Sequence, residues 1–435
     1  MRRAAAAGAA ILVAASACAA AELPAAAGET WTEVRSRRFH VYTQGDDALA
    51  RRIARHLERL AEALQETTRG FLVDGGRGVS LYVFTHRDAF RPYCPFRDDE
   101  FGNTVGYHRS GDDREYIVVD ASDADRVPGF VAHEYLHAVV ARSFGDFPMW
   151  LNEGLAEYYS TFLARRRTVE IGRAVPEHVA WLRSHVAPVR QILLMAGNSP
   201  DYYSGPQRQT VYAQSWALVH ALALDPEDSG RRFGRLLSRI SLGEQAETVM
   251  KAIYGPGVLD SLEGALRERM TRITLPYVER EFTVPVEDLS LQSRPLGRAE
   301  TLTLLGELLA NAPDSLIPRA RAHLEAAWRE DSSRAQSAAW LGTLAERSHD
   351  RPLAGVWYAR ATRAADADAR ALATVGTALA NRRRQDGAPL AWPARGTGAE
   401  ELRARDLLRR AMATDPAVPE WLVPFGRTFL EDTAD

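Results

Sequence analysis

The feature that most constrains this chain is a glutamate between two histidines that stand four residues apart, in the segment 133–137. If this segment is helical, His133 and His137 lie on one face of the helix, about one turn apart. Two imidazoles in that arrangement can bind one Zn²⁺ ion, at about 2.0–2.1 Å each. Glu134 then points beside the metal, where its carboxylate can accept a proton from water. The segment therefore predicts a helix that carries two metal ligands and a general base.

A second acidic segment follows after a short loop. Residues 144–148 are rich in helix-interrupting residues and predict a loop between a helix over 129–143 and a helix over 150–165. Catalytic zinc normally takes three protein ligands, and Glu153 lies early on the second helix. Glu157 follows on the same face. One carboxylate can bind the metal while the other accepts a hydrogen bond from a ligating histidine.

The pattern H-E-x-x-H at 133–137, followed by W-L-N-E-G-x-A-E at 150–157, resembles the gluzincins, the zinc metallopeptidases that include thermolysin and the aminopeptidases. The resemblance is closest to bacterial peptidase-MA-like domains, which are often fused to tetratricopeptide repeats. It implies that Glu153 is the third zinc ligand and that Glu157 supports a ligating histidine. Only 15 residues separate His137 from Glu153, fewer than in familiar members, so Glu157, after 19 residues, stays open as the alternative ligand.

Peptide hydrolysis also needs a hydrogen-bond donor for the oxyanion that develops on the carbonyl. The resemblance to the aminopeptidase group implies a tyrosine on a later helix, and Tyr212 stands 59 residues after Glu153. Tyr202 and Tyr203, in a predicted loop, are alternatives for this role. A further alternative is that Tyr212 only packs against Trp216 on one helix face.

Hydrophobic patterning predicts an α+β fold for the first part of the chain. Strand patterns occur at 38–42, 79–84 and 116–119, a helix at 46–69, and hairpin character over 102–113. From residue 128 onward the pattern is helical, with helices at 177–186, 209–224, 230–241 and 259–273. The resemblance implies a thermolysin-like catalytic domain over 28–285. Residues 116–119 would be its edge strand, which can pair with an extended peptide, or an ordinary interior strand.

The last third of the chain predicts an all-α repeat domain. Leu-Gly or Val-Gly pairs recur at 305–306, 341–342 and 375–376, with spacings of 36 and 34 residues. Such spacings are typical of tetratricopeptide repeats, which pair two helices per roughly 34 residues. We predict this domain over 296–435, interrupted by a Pro/Gly-rich insertion at 384–400, and expect the catalytic part to fold without it. Any helical-hairpin array rich in Ala and Leu would give similar spacing.

The first residues predict export. Two arginines precede a short apolar run and small residues, which matches a signal peptide over 1–21. The run is too short to cross a bilayer core of about 30 Å. Cys18 follows Ala-Ser-Ala and resembles a bacterial lipobox, so an outer-membrane lipoprotein is the alternative to a protein secreted into the periplasm or cell envelope. Cys94 is expected to be a small buried hydrophobic residue.

Charge adds one exclusion. With 54 basic and 57 acidic residues and a net charge of −3, nothing suggests a nucleic-acid or polybasic membrane partner.

Taken together, the motifs predict a zinc peptidase with one Zn²⁺ per chain and Glu134 as general base. Its substrate is a peptide or protein, and the repeats bind a protein partner or present the substrate. The alternative is a repeat-based interaction scaffold with a vestigial peptidase domain.

Overall fold

The computed structural model describes most of the chain after the predicted signal peptide. The described residues are 23–45, 47–67, 70–74, 78–96, 104–165, 167–195, 205–225, 230–281, 290–364, 368–385 and 398–429. The predictions about residues 1–21, Cys18, Tyr202 and Tyr203 lie outside these residues, as does most of the predicted insertion.

The protein is a mixed α+β structure in which an N-terminal mixed sheet precedes many helices. The described strands are β1 (Trp31–Arg35), β2 (Phe39–Gln44), β3 (Gly78–Phe84), β4 (Gly106–Ser110), β5 (Arg114–Asp120), β6 (Leu163–Ala164), β7 (Thr168–Ile171), β8 (Val278–Glu281) and β9 (Gln292–Pro295). Six of them form one sheet in the order β4-β5-β3-β2-β1-β9, and the other three form a small sheet in the order β6-β7-β8.

The described helices of the first part of the chain are α1 (Ala48–Thr67), α2 (Arg87–Phe90), α3 (Val127–Phe144), α4 (Met149–Ser160), α5 (Pro176–Leu182), α6 (Val189–Leu194), α7 (Gly205–Ala223), α8 (Arg231–Ser241), α9 (Ala246–Tyr254) and α10 (Val258–Thr271). Those of the last part are α11 (Arg298–Ala310), α12 (Ile317–Glu330), α13 (Ala335–Arg347), α14 (Arg351–Ala364), α15 (Ala369–Gln385), α16 (Ala399–Thr414) and α17 (Leu422–Arg427). Within this described part, no helix is both long enough and apolar enough to cross a membrane.

Two of the pairings in the large sheet are parallel. Strands β2 and β5 both run parallel to β3, whereas β1, β4 and β9 pair antiparallel with their neighbours. In this order β5 lies inside the sheet, and β4 and β9 are the two edge strands. Residues 116–119 therefore form an interior strand and not an edge strand, because β4 pairs with them on their outer side.

Both faces of the large sheet are apolar. Successive side chains of a strand point to opposite faces, so Leu81 and Val83 of β3 join one buried cluster while Tyr82 and Phe84 join another. The first cluster contains residues of α1, α3 and α4. The second contains residues of α11, α12 and α13, and also the buried Cys94. The sheet is thus a central layer between two groups of helices.

The C-terminal helices form successive hairpins that meet at glycines. A Cβ atom added at Gly306 would come within 2.7 Å of Leu324, and one at Gly342 within 2.4 Å of Tyr358. At Gly376 the corresponding contact is Leu408, at 2.7 Å. These are the three glycines whose recurrence predicted the repeats. Each one removes a side chain where the second helix of its hairpin crosses the first.

A buried ionic cluster joins the C-terminal helices to the β4–β5 hairpin. The Glu307 side chain of α11 is fully buried, and its Oε1 lies 2.7 Å from both Arg370 Nη2 and the Tyr116 hydroxyl. Arg370 Nε is also 3.2 Å from Asp113, and Arg114 Nε is 3.7 Å from Glu307 Oε1. Burial raises the pKa of Glu307, but the charges of Arg370 and Arg114 outweigh it and hold the pKa below its ordinary value.

One expectation from the sequence needs correction. The helix predicted over 150–165 ends at Ser160, because Leu163–Ala164 pair with β7 as a strand. Independent folding of the part before residue 296 stays a prediction, and two contacts bear on it. Strand β9 lies between residues 285 and 296, and the face of the sheet that carries Tyr82 and Tyr116 is covered by C-terminal helices.

Replacing Glu307 should therefore destabilise the whole chain. Glu307→Gln leaves two arginines without their buried carboxylate, and loss of one partner of such a pair costs about 3–5 kcal/mol. Because the folded-state pKa is lowered, this contribution is complete above a pH of about 4.5 and declines as the pH falls towards the folded-state pKa.

The measurement is urea unfolding near neutral pH, followed by circular dichroism. Glu300→Gln is the matched control on the same helix, because its partner Arg294 is 52% exposed and such pairs contribute at most about 1 kcal/mol. Equal midpoints for the two variants would contradict a role of Glu307 in joining the parts.

Candidate metal centre

Helix α3 carries the two histidines, and its ends follow from the local sequence. Pro128 occupies its first turn, where a missing backbone N–H is tolerated, and Gly145 ends it with a φ of 75°. Residues 145–148 then lead into α4, as the sequence predicted. His133 and His137 share one face of α3, while Glu153 and Glu157 lie one turn apart on α4.

Three atoms from these two helices converge. His133 Nε2 lies 3.0 Å from His137 Nε2 and 3.6 Å from Glu153 Oε2, and the third separation, from His137 Nε2 to Glu153 Oε2, is 3.7 Å. Among the described residues, these three form the group whose ligand atoms lie close enough to hold one metal ion. Sequence reasoning named all three.

The dimensions of this group suit a small divalent metal ion. Three atoms with these separations lie on a circle of radius about 2.0 Å, which matches the bond lengths of zinc to histidine nitrogen and carboxylate oxygen. Glu153 Oε2 is also buried and has no hydrogen-bond partner within the described part of the chain. A buried carboxylate oxygen without a donor is costly, and a cation at the centre of the group would satisfy it.

Glu157 has a different environment from Glu153. Its Oε1 lies 3.5 Å from Nδ1 of His133, on the side of the ring away from the other ligand atoms, and its Oε2 lies 3.2 Å from Nε2 of His178. His178 belongs to α5 and was not found by sequence reasoning. No local spacing relates it to the two motifs, and only the fold brings it to Glu157.

The charges around the histidines favour a cation. Burial lowers the pKa of His133, but the contact with Glu153 and the charges of Glu157 and Glu134 outweigh it and raise the pKa to about 9. Burial raises the pKa of Glu153, yet its histidine contacts hold it below the ordinary value. For Glu157, burial likewise acts to raise the pKa, but the contact with His178 and the charge of His133 outweigh it and hold the pKa below its ordinary value. Both carboxylates are therefore ionised at neutral pH.

Tyr212 lies beside the same site. Its ring is nearly parallel to that of His133, with centroids 6.4 Å apart and planes 29° apart. The guanidinium carbon of Arg208, one turn earlier on α7, is 5.6 Å from the Tyr212 ring. Trp216, which the sequence offered as a packing partner of Tyr212, has its ring next to those of His178 and His220, at 5.8 and 5.1 Å.

A glycine of the second motif lets α7 reach this position. A Cβ atom added at Gly154 would lie 2.4 Å from the carbonyl oxygen of Ser215 and 2.6 Å from Val219. The backbone of α7 therefore packs directly on α4, one residue after Glu153. Tyr212 lies one turn before Ser215 on the same helix, so this contact also fixes the distance between the tyrosine and the carboxylates.

Comparison with known proteins gives one family match. The model of a family described as "Protein of unknown function (DUF1570)" matches residues 129–239. The matched segment begins in the first turn of α3 and ends within α8, so it includes His133, His137, Glu153, Glu157, His178 and Tyr212. No curated protein and no solved structure matches the chain.

The contact at Gly154 gives a direct prediction. In an open helical position, Gly→Ala stabilises by up to about 1 kcal/mol, because alanine is the better helix former. At Gly154 the added methyl group must displace α7, and overpacking of this kind costs about 1–3 kcal/mol. Gly154→Ala should therefore lower the free energy of unfolding.

The matched control is Gly264→Ala in α10, where an added Cβ atom meets nothing within 4 Å. Thermal unfolding should show the two substitutions shifting the midpoint in opposite directions. A stabilised Gly154→Ala protein would mean that α7 does not rest on this glycine.

Proposed function

We propose that this protein is a zinc-dependent peptidase that hydrolyses peptide bonds with Glu134 as general base. The observation that carries the proposal is the convergence of His133 Nε2, His137 Nε2 and Glu153 Oε2. The last of these atoms is a buried carboxylate oxygen that has no donor among the described residues. Two imidazoles and one carboxylate are a ligand set of catalytic zinc sites. These three residues would hold one Zn²⁺ per chain.

Zinc at such a site supplies Lewis-acid chemistry, which polarises a carbonyl and makes water acidic enough to attack it at neutral pH. The residues of the chain supply the remaining functions. Glu134, half-buried beside the two histidines, accepts the proton of the attacking water and later delivers it to the leaving amine. Glu157, whose Oε1 lies 3.5 Å from Nδ1 of His133, attracts this side of the ring and so directs Nε2 towards the other two ligand atoms. Tyr212 donates to the oxyanion.

The finer fold assignment belongs to the same proposal. We assign residues 28–285 to a gluzincin-like catalytic domain of the thermolysin type and residues 296–435 to tetratricopeptide-like repeats. The order of sheet, ligand helix and second ligand helix supports the first assignment. Paired helices that cross at Gly306, Gly342 and Gly376 support the second. The N-terminal segment 1–21 directs export to the periplasm or cell envelope, with or without a lipid on Cys18.

The substrate is an extended segment of a peptide or protein. Gly106 of the edge strand β4 packs against Phe130, three residues before His133, so the strand begins beside the ligand helix. A backbone edge of this kind can pair with an extended chain. At its other end, Arg109 and Ser110 line a cavity of about 590 Å³ that continues along repeat residues such as Asn311, Thr343 and Asn381. This cavity suits a protein partner or a distant part of the substrate.

The first test separates metal binding from hydrolysis. Glu134→Gln removes a proton acceptor and not a ligand, so the variant should keep about one zinc per chain and lose cleavage of labelled casein. His133→Ala should lose both, whereas His185→Ala, an exposed histidine, should lose neither. Metal is measured by mass spectrometry of purified protein.

Zinc that survives a His133→Ala/His137→Ala double substitution would contradict the site. A protein that never binds zinc would favour the interaction scaffold.

The second test concerns Tyr212. If its hydroxyl donates to the oxyanion, Tyr212→Phe should lower kcat by about 10²–10³-fold, as loss of one such donor does. KM should hardly change, because the bond forms only in the transition state. Tyr202→Phe and Tyr203→Phe are the controls. Full activity of Tyr212→Phe would leave the metal as the sole partner of the oxyanion, and loss at either control would move the role into that segment.

A further inference from the structure

One carboxylate bridges two histidines at this site. Glu157 Oε1 faces Nδ1 of His133 at 3.5 Å, and Glu157 Oε2 faces Nε2 of His178 at 3.2 Å. His178 Nε2 is buried, and its recorded polar contact within the described part of the chain is Glu157 Oε2. The side chains of Glu157 and His178 are only 18% and 13% exposed.

Burial makes this contact consequential. A buried carboxylate is costly unless positive charge or hydrogen-bond donors compensate it, and removal of one partner leaves the rest uncompensated. If His178 is lost, Oε2 of Glu157 needs another partner. Glu153 stands one turn away on the same helix, and Glu157 already contacts His133, so Glu157 is the carboxylate placed to compete with Glu153 for the metal.

The position of His178 is set by α7. Trp181 Nε1, on the same helix as His178, donates to Thr210 Oγ1 at 3.0 Å. Gln214 binds the backbone of Ala187 in both directions, at 2.9 and 2.7 Å, and so ties the segment after α5 to α7. The His178 ring itself lies 5.8 Å from that of Trp216. The helix that carries Tyr212 therefore also holds His178.

We infer that His178 is a positioning residue of the proposed metal centre: it holds Glu157 against Nδ1 of His133 and keeps that carboxylate out of the metal's coordination sphere. This inference rests on the proposed function, since it concerns the same site. It assigns His178 no contact with substrate or metal. It also explains how two glutamates one turn apart on α4 take different roles.

The test measures metal affinity, which does not depend on catalysis. Zinc affinity is determined by competition with a chromophoric chelator for wild type, His178→Leu and His178→Gln. His178→Leu removes the donor and should weaken zinc binding on the order of 10-fold. His178→Gln keeps an N–H that can reach Glu157 and should restore most of the affinity.

A double-substitution cycle shows whether His178 acts through Glu157. In a Glu157→Gln background, His178→Leu should change zinc affinity by less than about 3-fold, because the group on which it acts is already neutral. The cobalt-loaded proteins give a second readout. If Glu157 enters the coordination sphere of His178→Leu, the visible absorption of cobalt should weaken as the coordination number rises above four.

His220→Leu is the matched control for packing. His220 is buried, and its ring lies 5.1 Å from that of Trp216, but it binds Pro276 and Arg269 and not Glu157. This variant should lose stability and keep wild-type zinc affinity and cobalt absorption.

Wild-type affinity and absorption in His178→Leu would overturn the inference and leave the proposed function intact. Equal effects of His178→Leu with and without Glu157→Gln would also overturn it. A wild-type protein that binds no zinc would refute the proposed function, and this inference with it.

Discussion

Two apolar faces on one sheet decide where the rest of the chain can lie. Along β3, Leu81 and Val83 point to one side and Tyr82 and Phe84 to the other, and all four are fully buried. Because burial of apolar surface is worth roughly 25 cal/mol per Å², neither face can stay in water. Helices α1 and α3 cover one face, and α11, α12 and α13 cover the other. The helix with both ligand histidines is therefore part of the core, which holds its backbone rigidly.

Buried negative charge organises the site on that helix. Glu153 and Glu157 are both largely buried, and contacts with histidines hold the pKa of each carboxyl below its ordinary value. The Nε2 atoms of His133 and His137 lie 3.0 Å apart beside Glu153, whose Oε2 has no hydrogen-bond donor among the described residues. A divalent cation between these three atoms would compensate the buried carboxylate and accept both nitrogens as ligands.

The sequence predicts what short-range geometry determines. Positions 133 and 137 meet on any helix, so their convergence needs no knowledge of the fold, and Gly145 and Pro148 mark the loop that brings α4 back. Long-range pairing is what the sequence could not supply. Helix α4 ends at Ser160 because β6 pairs with β7, and β5 is an interior strand because β4 covers it. His178 is the clearest case. It stands 21 residues beyond Glu157, on a helix whose position depends on contacts with α7, so no pattern in either motif indicates it.

The C-terminal helices are tied to the candidate site more closely than their sequence suggests. Glu307 of α11 binds Tyr116 of β5 and Arg370 of α15, and Arg370 also binds Asp113 at the turn of the β4–β5 hairpin. This hairpin begins at Gly106, against the helix that carries His133 and His137, and ends at the cavity among the C-terminal helices. Five residues of strand span about 17 Å, so one short strand lies between the candidate metal centre and this cavity. Because the buried charges join the hairpin to the C-terminal helices, the two parts of the chain share a packed interface, unlike two domains on a flexible linker.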